Sequence, residues 1–93
     1  MKVKVNFFPP ISQKLGKEEE LLELSKEKVT VLEVLQQLEK RHGEGFKNII
    51  FPTPSSPKIN SKISLMKNGV LVGPEDIVDD GDTIIILMLV GGG

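Results

Sequence analysis

The sequence predicts an α+β fold, a mixed sheet of about five strands packed on one main helix. Three observations carry this. Residues 2–7 alternate strictly between polar and apolar, residues 30–42 form one capped amphipathic helix, and residues 84–90 are an unbroken apolar run. A chain of 93 residues is long enough for one core and too short for two.

In Lys2-Val3-Lys4-Val5-Asn6-Phe7, Val3, Val5 and Phe7 share one face of a half-buried strand. Pro9-Pro10 ends it, because proline cannot donate to a ladder. Ile11 to Leu15 fits a short helical turn closed by Gly16. Residues 18–24 fit an antiparallel second strand with Leu22 and Leu24 inward, and Glu18, Glu19 and Glu20 read as strand-edge and turn charges. Thr30 is an N-cap with Glu33 three residues on, a capping box. Val31, Val34, Leu35, Leu38 and His42 follow the 3.6-residue period, with His42 in a capping or half-buried role and Gly43 as the stop. Residues 44–61 are irregular: Pro52, Pro54 and Pro57 mark an exposed loop, and Phe46, Ile49, Ile50 and Phe51 either anchor it or form a further helical turn. Ile63 to Lys67 and Val70 to Val72 are strands joined by Asn68-Gly69, which suits the positive φ of a type I′ turn. Asp76 to Val78 fits one helical turn, and Asp80-Gly81-Asp82 turns the chain into the last strand, 83–90.

The last strand is apolar on both faces and so belongs in the centre, with the first strand parallel beside it and the helix in the crossover. That arrangement is a β-grasp over residues 1–90, leaving 91–93 as a glycine tail. One helix covers one sheet face. Ile84, Ile86 and Met88 then point one way and Ile85, Leu87 and Leu89 the other, so one set lies on an uncovered face unless 46–51 reaches it. Such a face is a candidate protein-binding surface.

Composition excludes several functions. There is no cysteine, hence no disulfide, thiolate catalysis or cysteine-based zinc site. Twelve basic and 13 acidic residues give a net charge of −1, which argues against a nucleic-acid or anionic-membrane binder. The acidic residues Glu75, Asp76, Asp79, Asp80 and Asp82 cluster without Lys or Arg and read as solvated turns or a contact for a basic partner. No apolar run approaches the ~20 residues of a membrane span and no signal peptide is visible, so a cytoplasmic protein is expected. The lone His42 has no second histidine to form a metal site, and the glycines precede no helix that could bind phosphate.

The opening Val3 to Phe8, Ile11 to Gly16, Lys17 to Leu24, the helix Thr30 to Leu38, the Asn68-Gly69 and Asp80-Gly81-Asp82 turns and the terminal glycines together resemble the MoaD/ThiS-type ubiquitin-like sulfur carriers, the family of the molybdopterin synthase small subunit. The resemblance covers the chain except about 44–61. It differs in lacking a proline near the end of the last strand and in ending on three glycines, so either Gly92 or Gly93 takes the place of the family's terminal glycine. The resemblance implies a carrier rather than an enzyme. A partner similar to ubiquitin-activating enzymes, using ATP and Mg, adenylates the terminal carboxylate of Gly93 at the end of the Gly91-Gly92 tail. Sulfur then replaces AMP and the thiocarboxylate donates it. Implied partners are that adenylating enzyme and a molybdopterin synthase large subunit in a heterotetramer. Ile85, Leu87 and Leu89, with Phe7 and Phe8 nearby, are the expected partner-binding residues. A ubiquitin-like modifier, a carrier for tRNA or thiazole thiolation, and an interaction domain with an inert tail are the alternatives.

Overall fold

The computed structural model describes residues 1–51 and 59–88. The strands β1 (Lys2–Phe7), β2 (Glu19–Glu23), β3 (Lys28–Thr30), β4 (Ile63–Lys67), β5 (Val70–Val72), β6 (Ile77–Asp79) and β7 (Thr83–Met88) are accompanied by the helices α1 (Ile11–Leu15), α2 (Val31–His42) and α3 (Glu44–Ile50). The expected mixed sheet is present, five-stranded in the order β2-β1-β7-β4-β5. β7 is its centre, parallel to β1 and antiparallel to β4. The expected loop over Pro52 to Pro57 and the residues Leu89 to Gly93 lie outside the described residues.

α2 starts as its sequence demands. The Thr30 hydroxyl accepts from Glu33 N at 3.2 Å and the Glu33 carboxylate accepts from Thr30 N at 3.1 Å. Thr30→Ala should lower stability by about 1 kcal/mol in a urea titration. Gly43, at φ 74°, ends α2 and begins α3. α3 realises both alternatives for its segment: it is a helix, and Phe46, Ile49, Ile50 and Phe51 are buried. It packs against α1 and α2, and its apolar side chains join the cluster of Val3, Val5, Phe7, Ile84 and Ile86. The helices therefore share one side of the sheet, and the described part of 46–51 does not cover the other.

Two expectations are corrected. Where one helical turn was expected over Asp76 to Val78, Asp76 is a bend and Ile77 and Val78 open β6, which pairs with the unforeseen β3 in a separate two-stranded ladder. Val29 opposite Val78 buries both side chains, a gain that three residues coiled at the surface could not make. Glu20 is not an exposed edge charge. It points inward from β2 with 7% exposure, one position from Leu22 in the inward row. Arg41 Nη1 donates to it at 2.7 Å, His42 Nε2 lies 2.6 Å away and Lys17 Nζ 3.3 Å away. The His42 ring stands edge-on to Phe7 and beside Phe46, half-buried as expected.

Burial by itself would raise the Glu20 carboxyl. The hydrogen bonds from Arg41 and His42, the His42 charge and Lys17 reverse this and hold it below its ordinary value of 4.5. A carboxyl depressed by folding contributes stability above its unfolded value and loses it as pH falls through the folded one. The stability advantage of the native chain over Glu20→Gln should therefore be full at neutral pH and shrink below about pH 4.5. Urea midpoints at pH 7 and pH 3 check this; an equal advantage at both would contradict it.

Candidate functional site

The site is built on β7. Its alternation places Ile84 and Ile86, both 0% exposed, under the helices, and Ile85 and Leu87, half-buried, on the open face. Register then assembles a row across the sheet: Asn6 beside Ile85, Ile85 opposite Met66, and Met66 opposite Leu71. Leu87 stands opposite Ser64 one step nearer the C-terminal end of β7. Because β1 and β7 run parallel, with Phe7 beside Ile86, Phe8 leaves the sheet at the same end as Met88. Phe8 is 45% exposed.

The open face is thus divided. Its β7–β4–β5 half is apolar, through Ile85, Leu87, Met66 and Leu71. Its β1–β2 half carries the pairs Lys2–Glu23 at 3.7 Å and Lys4–Glu19 at 3.2 Å, with Leu21 between. Those exposed pairs contribute little to stability, but they border the apolar half with charge.

Of the expected partner-binding residues, Ile85 and Leu87 lie on this face, and Phe8 is exposed where β1 leaves the sheet at the Met88 end. Phe7 is not: the alternation that leaves Asn6 half-buried on the open face turns Phe7 into the core, where it is 3% exposed beside His42. Leu89 and Gly91, Gly92 and Gly93 lie outside the described residues. Met66 and Leu71 were missed. The signal existed, since the two-residue Asn68-Gly69 turn sets Lys67 against Val70 and so Met66 against Leu71. Asn68 holds that turn at φ 51°, its Nδ2 donating to Asp82 Oδ1 and its Oδ1 accepting from Thr83 N.

Most of the acidic cluster proves to be turn architecture. Asp76 accepts from Gly73 N, Asp80 from Lys2 N, and Asp82 from Asp79 N. Burial would raise the Asp82 carboxyl, but the Asp79 amide, Asn68 and the Lys67 charge hold it below 3.8. Glu18 and Glu19 face outward while Glu20 faces the core, so these carboxylates do not converge as an acid–base pair. Among the described residues no group of three or more His, Asp or Glu is placed to hold a metal ion, and no helix is long and apolar enough to cross a membrane.

A β-grasp sheet with one half-apolar open face, next to the exit of its central strand, defines the class of ubiquitin-like carrier domains. The chain belongs to the ThiS family, whose model matches residues 5–93. It is similar to the small archaeal modifier protein 1 of Methanosarcina acetivorans, 30% identical with a TM-score of 0.81, covering 99% of this chain and 96% of that one. A Pyrococcus furiosus chain assigned as molybdopterin converting factor, subunit 1, is 29% identical with a TM-score of 0.76, covering 97% and 99%. A chain of the BexX/CysO complex of Amycolatopsis orientalis is 29% identical with a TM-score of 0.72, covering 98% and 99%. No curated protein sequence matches.

Proposed function

We propose that this chain carries sulfur on its C-terminal carboxylate, with Gly93 as the acyl residue and Gly91-Gly92 as the tail that reaches the reaction site. The observation that carries the reading is the path of β7: a central, doubly apolar strand described to Met88, with only Leu89 and Val90 between it and three glycines. A buried strand sets the position from which the tail departs. Glycines without Cβ can enter a narrow channel and take positive φ there.

The chemistry needs a partner. A carboxylate oxygen of Gly93 attacks the α-phosphorus of ATP, which the adenylating enzyme binds with Mg, and pyrophosphate leaves. A sulfur nucleophile then attacks the acyl carbon and AMP leaves, giving the thiocarboxylate. The chain itself contributes the acyl group and the docking face and holds no cofactor. Ordering the tail costs about 1–2 kcal/mol per residue, so the face at Phe8, Ile85 and Leu87, with Leu89 beyond it in sequence, supplies the affinity. The absence of cysteine fits a sulfur held on a backbone terminus.

The likeness to a molybdopterin converting factor subunit supports a molybdopterin precursor as the acceptor. On this reading the second partner is a synthase large subunit, in a heterotetramer, and the compartment is the cytoplasm. The likeness to a modifier protein favours a second reading, in which the activated glycine is joined to lysines of other proteins. The two share the adenylation step. Incubation with the adenylating enzyme of the same organism, ATP and a sulfide source should raise the intact mass by one sulfur minus one oxygen, located at the last residue. An unchanged mass with a demonstrably active enzyme would sink the carrier reading. Branched peptides that join the C-terminal glycine of this chain to a target lysine would support the modifier reading; because no Lys or Arg follows Lys67, trypsin leaves the whole 68–93 segment on that lysine.

A further inference from the structure

The two edges of the five-stranded sheet differ. β2 is guarded: Glu19 and Glu23 stand on its open face with Lys4 and Lys2 beside them, and Glu20 is an inward-pointing charge. Such charges keep foreign strands off an edge. β5, Val70-Leu71-Val72, has none and no proline, and its register with β4 is regular. Val70 and Leu71 are 65% and 72% exposed, the two most exposed large apolar side chains among the described residues.

The hairpin sets what the β5 backbone offers. The two-residue turn makes Lys67 and Val70 the closing pair that exchanges hydrogen bonds, so Met66 and Leu71 form the next, non-hydrogen-bonded pair. Leu71 N–H and C=O therefore point away from β4, and no turn or loop hydrogen bond among the described residues uses them.

We propose that β5 accepts an extended segment of the adenylating partner as a sixth strand, with Leu71 N–H and C=O as the paired groups. The inference deepens the sulfur-carrier reading and rests on it. Continuity names the occupant, because Leu71 ends the row Ile85–Met66–Leu71 that forms the proposed docking face. A partner seated on that face needs only to wrap its border to reach the free edge. Charge specifies the segment. Glu75 and Asp76 lie in the turn after β5, and exposed Glu75 has no ion-pair partner among the described residues. The incoming strand is therefore aliphatic opposite Leu71 and basic beyond it. A second copy of this chain fits less well, since an edge three residues long offers far less than the ~800 Å² per partner of a stable interface.

Amide exchange tests this on the ¹⁵N-labelled chain, alone and with the adenylating enzyme of the same organism and ATP. Leu71 N–H should exchange freely alone and at least about tenfold more slowly in the complex, the scale of one hydrogen bond. Val70 and Val72, already bonded to β4, should change less. Leu71→Pro removes the outward donor and spares the bonds to β4, while Leu71→Ala keeps the donor and removes the side chain. The proline variant should raise the KM for the carrier clearly more than the alanine variant does. Activation of the native chain with Leu71 still exchanging freely overturns the strand addition alone, as do equal effects of the two variants. Protection that appears without enzyme and grows with carrier concentration overturns it in favour of self-pairing. No mass change at the C-terminus overturns the carrier reading and the strand addition with it.

Discussion

A chain lacking Gly92 and Gly93 will acquire no sulfur from the adenylating system, while its melting temperature stays where it was. The two halves of this result come from different physics. Under the proposed chemistry the acyl carbon sits at the end of a thin tail. Removing two glycines moves the carboxylate by up to about 7 Å, at roughly 3.3–3.6 Å per extended residue. Covalent steps tolerate displacements nearer 1 Å, so activity falls to background rather than declining in part. Stability should hold because two glycines have no side chain to bury, and among the described residues the buried cluster runs from Val3 to Ile86, with Met88 packed against it. Intact-mass analysis reads the first half and calorimetry the second. A truncated chain that still gains sulfur would show that the tail is inert and return the protein to the class of plain interaction domains. A chain shortened by Gly93 alone separates the two possible termini, since it stays active only if Gly92 can hold the acyl group.

Neighbouring isoleucines in β7 should fail in opposite ways. Ile86→Ala empties a fully buried position between Phe7 and Leu65, its partners on β1 and β4. The expected loss is about 2–5 kcal/mol, against a total of about 5–15 for a domain of this kind. At temperatures where the variant is folded, its KM as a substrate of the adenylating enzyme should match that of the native chain. Ile85→Ala removes a half-buried side chain from the open face, next to Asn6 and Met66. It should cost clearly less stability and raise that KM about tenfold, near 1.4 kcal/mol, as expected for an anchor within a docking face. Urea denaturation and steady-state activation kinetics on both variants decide the matter. Equal KM values for Ile85→Ala and the native chain would move the docking surface away from β7.

Much of this fold was legible because local signals agreed. The alternation of Val3, Val5 and Phe7, the Thr30–Glu33 box and the Asn68-Gly69 turn all lead to the observed elements. The irregular segment was half legible: its apolar residues offered either an anchor or a helical turn, and the packing of α3 against α1 and α2 shows that they are both helical and buried. The β3–β6 ladder was not legible. Neither three-residue strand has a period of its own, and each exists because the other, distant in sequence, buries Val29 against Val78.

Of the candidate site, Ile85, Leu87 and Phe8 were readable from the alternation of two strands. Met66 and Leu71 required carrying the register across the hairpin. Phe7 was named with Phe8 for the partner surface, but the alternation that sets it in one row with Val3 and Val5 buries it in the core.

The sequence by itself determined which residues alternate, where α2 begins and ends, that the 84–90 run must be central, and that no cysteine chemistry is possible. These follow from backbone periodicity, capping and side-chain chemistry, which act within a few residues. The tertiary structure alone decided which β7 face the helices cover, that Glu20 lies inside with Arg41 and His42, and that β5 is left as an unguarded edge. Those outcomes depend on contacts between segments far apart in the chain. One face of a doubly apolar strand is as good as the other until helices have been packed against it.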